Sequence, residues 1–315
     1  MTTAPPSIND PMTGDIRARA FIGHDDVVGL NFIKSDAPYY FRRHFRQGLR
    51  SHVMEVLRPA DIEVEKFGIS SDGIRRFPRA RPIRIFRLFR TRLSNVAEAL
   101  EEIGRVKLVE RYLAAGFLAR SNEFIVDYKT PEGRAPLLCG LQEYVEGEIL
   151  NPWGLLEGDR LIAALHCQLF KAPTAPFPEK EAWAGIVRDK GIRFVEKIKQ
   201  MILASGHVPD LAGMGNLMIV RSGTIKLVDI NNIANVSFSS QIALDDKGYP
   251  VCDKSIEALA NLETKLIGNP IDPADAIYHF FLDPQRRREV SEKERLFNRK
   301  MSIRTGTASE VPDSY

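Results

Sequence analysis

The chain lacks the features that mark several large protein classes. It has only 3 cysteines among 315 residues, and no two of them form a CxxC pair. We therefore expect reduced, buried thiols in a cytoplasmic protein and no disulfide framework. No apolar run approaches the roughly 20 residues that span a bilayer. The N-terminal sequence MTTAPPSINDPMTG has no basic region followed by an apolar one, so no secretory signal is expected.

Common catalytic and metal-binding motifs are also missing. The sequence contains no GxSxG, Walker A or HExxH motif, and its 6 histidines show no metal-ligand spacing with the cysteines. The net charge is only +3, so composition alone does not indicate a nucleic-acid ligand. What is present, 44% hydrophobic and 27% charged residues, is typical of a globular protein with a substantial core.

The first half of the chain is predicted to contain strands and one main helix. Residues 1–15 are rich in Pro, Ser and Thr, which predicts disorder. An extension over 16–61 contains a predicted helix at 39–57, because its apolar residues recur every four positions. Residues 62–90 are predicted to be β-rich, and Ser94 is predicted to cap the next helix. The remaining elements expected in this half are that helix at 95–113 and strands at 117–128 and 136–146.

The second half is predicted to be mainly helical. Helices are expected at 154–171, 181–205, 254–267 and 272–281, followed by a mobile charged tail over 284–315. Asp253 is expected to cap the third of these helices. This order favours an α+β fold with a small β-rich lobe at 62–146 and a larger helical lobe at 147–283. Ligands commonly bind between such lobes.

One hairpin within the helical half has a distinctive pair of polar ends. Residues 217–220 and 225–228 are predicted strands, and Arg221-Ser222-Gly223-Thr224 has the composition of a tight turn. A hairpin of this size brings Asn216 and Asp229 to the same end. An amide and a carboxylate oxygen at one end of a rigid hairpin are suitable ligands for Mg²⁺ on a nucleotide phosphate.

This segment resembles the protein-kinase-like superfamily of phosphotransferases. The segment NLMIVRSGTIKLVDIN resembles the kinase stretch from the catalytic-loop Asn to the Asp of the DFG motif, with the same separation of thirteen positions. The resemblance implies ATP and Mg²⁺ as cofactors, with Asn216 and Asp229 holding the metal. Ile230 and Asn231 replace the usual Phe and Gly, which indicates a distant branch of the superfamily.

Two further segments in the first half extend the resemblance. Residues 142–147, QEYVEG, resemble the hinge between kinase lobes, and this implies that the backbone of Glu143 and Val145 binds adenine beside Gln142. Taken alone, these residues are more typical of a strand that ends at a glycine, and it is their order with the other segments that favours the hinge. The strand RPIRIFRLF and the helix after it resemble the β3 strand and αC helix.

The predicted β3-like strand differs from the kinase pattern at its key position. The family has a lysine there, which pairs with a glutamate of the helix and with the nucleotide phosphates, whereas this strand has none. The resemblance implies that Arg84 or Arg87 replaces the lysine, with Glu102 as the partner, or that this function is absent. An arginine is larger than a lysine and binds phosphate through a planar fork, so the two are not equivalent.

The segment before the hairpin departs furthest from the family. In kinases a His-Arg-Asp motif places the Asp five positions before the metal-binding Asn, and this Asp accepts the proton of the acceptor hydroxyl. Here Asp210 lies six positions before Asn216. Gly213 and Gly215 would allow the loop to bulge and return Asp210 to register. The alternative is that Asp210 only caps a turn.

Three functions are therefore compatible with the sequence. The first is an ATP- and Mg²⁺-dependent phosphotransferase with Asp210 as the catalytic residue and an unidentified protein or small-molecule acceptor. The second is a pseudokinase that binds nucleotide and acts as a regulatory or binding module. The third is a scaffold that binds an anionic partner through the eight arginines between Arg75 and Arg92.

Overall fold

The chain forms two compact units. The computed structural model describes residues 14–34, 38–45, 48, 50–130, 132–171 and 178–305, so residues 1–13 of the predicted disordered segment 1–15 and the tail beyond 305 lie outside it. Asp15, at the end of that segment, is buried and caps the first 3₁₀ turn, contrary to the prediction. The first unit contains residues up to Arg105 together with Ala119–Tyr144, and the second contains Val106–Leu118 together with the residues from Val145 onward. Within the described ranges, no helix has both the length and the apolar character needed to cross a membrane.

The first unit is built on one antiparallel sheet of five strands. Its elements are a 3₁₀ turn (Ile16–Ala18), α1 (His24–Val28), β1 (Tyr40–Arg43), β2 (Ser51–Leu57), α2 (Pro59–Phe67), β3 (Ile69–Ser71), β4 (Ile74–Arg76), β5 (Arg84–Phe89), the start of α3 (Val96–Phe117), β6 (Ser121–Thr130) and β7 (Gly133–Glu143). The sheet order is β1-β2-β5-β7-β6, and β3 and β4 form a separate hairpin. Because β5 is central, every residue in it after Arg84 is buried.

Apolar side chains cover both faces of this sheet. On one face Phe41, Met54 and Phe86 pack with residues of the N-terminal segment, among them Ile16 and Val27. On the other face Phe89 and Leu138 pack against Ala99 of α3. The N-terminal segment, to which the sequence analysis assigns no role, is therefore part of the core of the first unit.

Two predicted elements of this unit are wrong. The expected helix at 39–57 is the pair of strands β1 and β2, in which Phe41 lies opposite Val56. An apolar residue every four positions does not distinguish helix from strand over so short a segment, and here packing against neighbouring strands favours the strand. The start of the stretch at 62–90, which is predicted to be β-rich, lies in helix α2. Pro59 occupies its first turn and Gly68, with a φ of 73°, ends it, and both are ordinary helix boundary signals.

A buried ionic network fixes α2 to the sheet. Glu55 of β2 is only 2% exposed. Its carboxylate accepts a hydrogen bond of 2.7 Å from Arg42 and lies 2.9 Å from the His44 ring. Arg42 also donates to Glu65 of α2 at 2.9 Å. A buried charge is tolerated when it is paired in this way, and the pairing sets the position of the helix.

The second unit is mainly helical. Its elements after the end of α3 are β8 (Glu148–Ile149), α4 (Gly158–Leu169), α5 (Lys180–Ser205), β9 (His207–Pro209), β10 (Leu217–Ile219), β11 (Ile225–Leu227), β12 (Ile233–Asn235), α6 (Val251–Asn261) with a π-helical continuation (Leu262–Ile267), α7 (Ala276–Phe281) and α8 (Pro284–Thr305). Its core includes Trp183 and Phe194 of α5 and Tyr278 of α7. The predicted hairpin is confirmed, because Leu217 pairs with Leu227 and Ile219 with Ile225.

The C-terminal segment differs from its prediction as a mobile tail. Residues 284–305 form helix α8, whose Arg286 is 9% exposed. The guanidinium of Arg286 donates to both oxygens of Asp253, at 2.5 and 3.2 Å, and to the Ser239 carbonyl at 2.8 Å. Asp253 is therefore an ion-pair partner of α8, whereas the helix cap assigned to α6 is Pro250. Of the cysteines expected to be buried, Cys167 is exposed.

Replacement of Arg286 by alanine tests whether α8 belongs to the second unit. It would leave Asp253 buried without its cation, so we expect the free energy of unfolding to fall by about 3–5 kcal/mol. Arg288→Ala removes an exposed arginine two positions further along the same helix and should change it by about 0.5 kcal/mol or less. Urea denaturation of both variants measures the difference, and equal effects would contradict the structural role.

Candidate functional site

Two pairs of short strands bring four polar residues of the second unit to strand ends. Strand β9 pairs with β12, so the end of β9 at Pro209 lies opposite Ile233 at the start of β12. Asp210 follows β9 directly, and Asn232 precedes β12. In the neighbouring hairpin, Asn216 precedes β10 and Asp229 comes two residues after β11.

The loop from Asp210 to Asn216 is closed by hydrogen bonds within itself. Asp210 Oδ1 accepts the backbone N–H groups of Ala212 at 3.0 Å and Gly213 at 3.1 Å. Asn216 Nδ2 donates to the Asp210 carbonyl at 2.9 Å, and Asn216 is 9% exposed. Because Nδ2 faces a carbonyl, the amide oxygen of Asn216 is the atom left to accept a hydrogen bond or to bind a cation.

Two glycines allow this closure. A Cβ at Gly213 would clash with the amide group of Asn216, and Gly215 has a φ of 88°, in the left-handed region. The extra residue between Asp210 and Asn216, relative to the kinase pattern, is therefore accommodated by a compact turn. Both glycines are predicted from the sequence to permit such a bulge. The turn capped by Asp210, its stated alternative, is present in the same loop.

The Asp210 carboxylate is buried and lies near the negative charge of Asp229. Burial raises the pKa of Asp210 to about 6, and the negative charge of Asp229 adds to the rise, whereas hydrogen bonds from Gly213, Ala212 and Asn232 oppose it. Asp229 Oδ1 accepts the backbone N–H of Asn231 at 3.2 Å, which orients it after the hairpin. A buried carboxylate beside a second negative charge favours either its own protonation or a cation bound nearby.

Asn232 and Asp245 belong to this site, although the sequence analysis does not identify them as site residues. The Asn232 carbonyl accepts the Asp210 N–H at 2.8 Å, and its side-chain Nδ2 lies 3.4 Å from both Asp210 Oδ2 and Asp245 Oδ2. Asp245 in turn accepts the N–H groups of Lys247 and Tyr249. Asn232 lies only three positions after Asp229 in the sequence, which is a signal for the site, but its contact with Asp210 depends on the pairing of β9 with β12.

Aromatic and charged side chains form a chain of contacts that ends at the loop of residues 210–216. Trp153 Nε1 donates to the Ala212 carbonyl at 2.9 Å. The Lys254 ammonium lies 4.1 Å from the Trp153 ring centroid and pairs with Glu294 of α8 at 3.0 Å. Tyr249 also donates to Glu294, at 3.2 Å. Helix α8 is thereby connected through two side chains to the segment that carries Asp210.

The oxygen atoms of this site suit a hard cation that takes few ligands from the protein and the rest from phosphate and water. Asn216, Asp229 and Asp210 offer oxygen atoms, and the buried Asn231 Oδ1 has no hydrogen-bond partner among the described residues. The same part of the chain holds no cluster of three or more His, Cys, Asp or Glu that could form a complete metal cage. Mg²⁺ in nucleotide sites commonly takes one or two protein ligands and completes its shell with phosphate and water. The residues present fit that mode.

The arginines and the glutamate predicted to orient phosphates lie in the first unit. Arg84 is exposed at the start of β5, whereas Arg87 is 6% exposed and lies opposite Gly140 of β7. Glu102 of α3 pairs with Arg105 at 3.0 Å, one turn along the same helix. Both arginines lie in the sheet, and of the two only Arg87 is buried. The phosphate-orienting roles of Arg84, Arg87 and Glu102 stay predictions.

The predicted hinge residues begin at the end of β7. Gln142 is buried at 2% exposure, and its Nε2 lies 3.4 Å from the Ala119 carbonyl. Glu143 donates its backbone N–H to the Arg120 carbonyl at 2.8 Å. Val145 follows in irregular backbone and is half-buried. Adenine binding by Gln142, Glu143 and Val145 stays a prediction from the resemblance.

Comparison with known proteins identifies no family. No family model matches the chain. No curated protein matches it either. Among solved structures, the chain is similar to the ROP18 kinase domain in complex with AMP-PNP and sucrose, over 86% of this chain and 82% of that one, with 13% identity and a TM-score of 0.33. A likeness this weak establishes neither the ligand nor the reaction of the present chain.

The raised pKa of Asp210 predicts a pH-dependent gain in stability when this residue is replaced by asparagine. The native state binds the Asp210 proton more tightly than the unfolded chain, so the carboxylate lowers stability increasingly as the pH rises from 3.8 to about 6. Asp210→Asn removes that cost. We expect the melting temperature of the variant to exceed that of the wild type above a pH of about 6, and the difference to vanish as the pH falls toward 3.8.

Asn232→Ala provides the matching control for the same titration. It removes a hydrogen bond that lowers the pKa of Asp210. In the Asn232→Ala background, the stability gained through Asp210→Asn should therefore continue to rise to a higher pH than in the wild-type background. The test is a double-mutant cycle of thermal melts across this pH range. A stability gain that does not vary with pH would contradict the raised pKa.

Gly213→Ala tests the close packing within the loop. The added methyl group would displace the Asn216 amide from the Asp210 carbonyl, so we expect a loss of about 1–3 kcal/mol in unfolding free energy. Gly185→Ala in α5 is the control, because a Cβ there meets no atom within 4 Å. That variant should be stabilised by up to about 1 kcal/mol, as in any exposed helix interior. Similar losses in both variants would count against the proposed packing.

Proposed function

We propose that the chain is an ATP- and Mg²⁺-dependent phosphotransferase of the protein-kinase-like superfamily. The observation that supports this best is the joint placement of Asp210, Asn216 and Asp229 at adjacent strand ends of the second unit. The thirteen-residue spacing of Asn216 and Asp229, matched to a confirmed β10–β11 hairpin, supports the same assignment. The acceptor is an unidentified hydroxyl, either on a protein or on a small molecule.

Asp210 is proposed to position the acceptor hydroxyl and to receive its proton. A carboxylate with a pKa of about 6 is mostly ionised at neutral pH and still has appreciable affinity for a proton. Hydrogen bonds to Oδ1 from two backbone N–H groups fix the carboxylate plane, and Asn232 constrains Oδ2. Catalysis of this kind depends mainly on positioning and on charge neutralisation.

The Asn216 amide oxygen and the Asp229 carboxylate are proposed to hold Mg²⁺ against the nucleotide. When bound, the ion would neutralise phosphate charge during transfer. The chain's own contribution is to fix the two oxygens: the Asn216 amide by its bond to the Asp210 carbonyl, and Asp229 by the Asn231 N–H. A cation here would also lower the pKa of Asp210 by offsetting the charge of Asp229.

A nucleotide-binding pseudokinase is the second candidate, and a specific observation favours it. Both carboxylate oxygens of Asp210 already accept hydrogen bonds from the protein, as a purely structural turn cap would. The β5 strand has no lysine, and Glu102 is paired with Arg105. In this case the chain would bind Mg²⁺ and nucleotide without transferring phosphate.

Thermal melts with ATP and ATP·Mg²⁺ test the nucleotide site. A ligand that binds only the native state raises stability by about 2.7 kcal/mol at one hundred times its Kd. We expect a shift with ATP that Mg²⁺ increases, and loss of the Mg²⁺ increment in Asp229→Asn. Asp189→Asn, which removes an exposed carboxylate of α5, should retain the full increment. The absence of any nucleotide shift in the wild type would overturn both candidates.

ATP turnover separates the two candidates. An active enzyme should hydrolyse or transfer the γ-phosphate slowly, and Asp210→Asn should lower that rate by about a hundredfold or more while keeping the nucleotide-induced shift. Binding without turnover in the wild type would instead favour the pseudokinase. An unchanged rate in Asp210→Asn would refute the role proposed for this carboxylate.

A further inference from the structure

The β3–β4 hairpin of the first unit exposes large apolar side chains. Every residue of both strands is exposed, and the strands pair only with each other. Ile69 and Ile74 are each 55% exposed, and the flanking Phe67 and Phe77 are 60% and 59% exposed. A two-stranded hairpin is at best marginally stable alone in water. Four large apolar side chains along eleven residues make this an apolar protrusion beyond the scattered exposure normal for a surface.

Arginines accompany these apolar side chains. Arg75 and Arg76 lie in β4, and Arg79 and Arg81 follow within five residues, all exposed. Asp72 is the only acidic residue between Phe67 and Arg92. Arg79 lies 3.7 Å from Glu55, but neither Arg75 nor Arg76 forms an ion pair in the described part of the chain. The protrusion is therefore cationic as well as apolar, and we call Phe67, Ile69, Ile74, Arg75, Arg76 and Phe77 the hairpin surface.

The register of the strands mixes the two kinds of side chain on one face. Ile69 lies opposite Arg76, and Ser71 lies opposite Ile74, so these four side chains share a face. Arg75 and Phe77 point to the other face by alternation. The turn between the strands contains Asp72 and Gly73, both with positive φ, as in the tight turns that give a twisted, self-contained hairpin. Apolar and cationic groups thus surround the hairpin.

We propose that the hairpin surface binds the surface of an anionic lipid bilayer. Isoleucine and phenylalanine side chains enter the boundary between headgroups and acyl chains, while neighbouring arginines stay at the level of the lipid phosphates. Clusters of four or more arginines beside exposed apolar groups suit anionic headgroups. Asp72 at the turn keeps the tip of the hairpin near water, so the strands lie parallel to the plane of the bilayer. This proposal is independent of the phosphotransferase activity.

A lipid surface matches the hairpin better than nucleic acid does. Phe67 and Phe77 could stack on bases, but Ile69 and Ile74 are aliphatic and could not, whereas a bilayer interface accepts all four side chains. A flat protein partner would cover one face and leave apolar groups exposed on the other. An interface that accepts apolar groups and carries negative charge accommodates both faces of a narrow hairpin.

Cosedimentation with lipid vesicles tests the proposal. The full chain should bind vesicles of phosphatidylcholine with about one third phosphatidylserine, and should bind pure phosphatidylcholine far more weakly. Arg75→Ser with Arg76→Ser should weaken binding about thirtyfold, since each arginine contributes about fivefold. Ile69→Ser with Ile74→Ser should weaken it by about tenfold or more. Raising salt from about 0.1 M to about 1 M should weaken wild-type binding, because it shortens the Debye length from about 10 to about 3 Å.

A second hairpin of the same unit supplies a matched control for charge. Lys129 and Arg134 lie opposite each other in β6 and β7, and both are exposed. Lys129→Ser with Arg134→Ser removes the same charge and should leave vesicle binding unchanged within about twofold. Leu155→Ser and Leu203→Ser remove exposed leucines, 99% and 69% exposed, from the second unit and control for loss of apolar surface. Thermal melts should show that all variants stay folded, because surface substitutions change stability little.

Three outcomes would overturn the proposal. The first is absence of wild-type binding to anionic vesicles. The second is an equal loss of binding in the Lys129/Arg134 control, which would indicate non-specific charge attraction. The third is hairpin-dependent binding of a single-stranded oligonucleotide or of a polyglutamate peptide without vesicle binding, which would assign the surface to nucleic acid or to an acidic protein.

Discussion

The hydrogen bond from Asn216 to the carbonyl of Asp210 is the contact on which the candidate site depends. It closes a loop that leaves β9 and enters β10, and it turns the Asn216 oxygen away from the chain's own carbonyl. It also requires Gly213, because any side chain there would occupy the space of the amide. The positions of the Asn216 amide oxygen, which we propose as a metal ligand, and of the Asp210 carboxylate are therefore set by one short loop and not by separate elements.

Around this loop the protein maintains an unfavourable concentration of negative charge. The Asn232 side chain lies between the carboxylates of Asp210 and Asp245. The backbone N–H of Asn231 orients the carboxylate of Asp229. Structural stability would be better served by neutral residues, since burial and like charge both raise the free energy of ionised Asp210. Such strain is common where a ligand supplies the missing positive charge, and it is the physical reason to regard this loop as functional.

The sequence was sufficient for the local parts of this site and insufficient for its long-range parts. The β10–β11 hairpin followed from a tight-turn composition between two short apolar runs, so Asn216 and Asp229 could be paired in advance. Asn232 and Asp245 could not, because Asn232 contacts Asp210 only after β9 and β12 pair, and Asp245 joins the site through the Asn232 side chain. The same limit explains the error at 39–57, where the neighbouring strand β5 decides between helix and sheet. The sequence alone predicts a charged tail around Arg286, because its ion-pair partner Asp253 lies 33 positions earlier in the chain.

The contacts of helix α8 also have a consequence for the order of synthesis. Arg286 pairs with Asp253 and donates a hydrogen bond to the Ser239 carbonyl. Glu294 accepts a hydrogen bond from Tyr249 and pairs with Lys254. Lys254 in turn contacts Trp153, which is hydrogen-bonded to the Asp210 loop. A nascent chain still inside the ribosome at residue 294 cannot make these contacts. The second unit would therefore lack the contacts of α8 with its polar loop until residue 294 has left the ribosome, whereas the sheet of the first unit has all its strands available by residue 143.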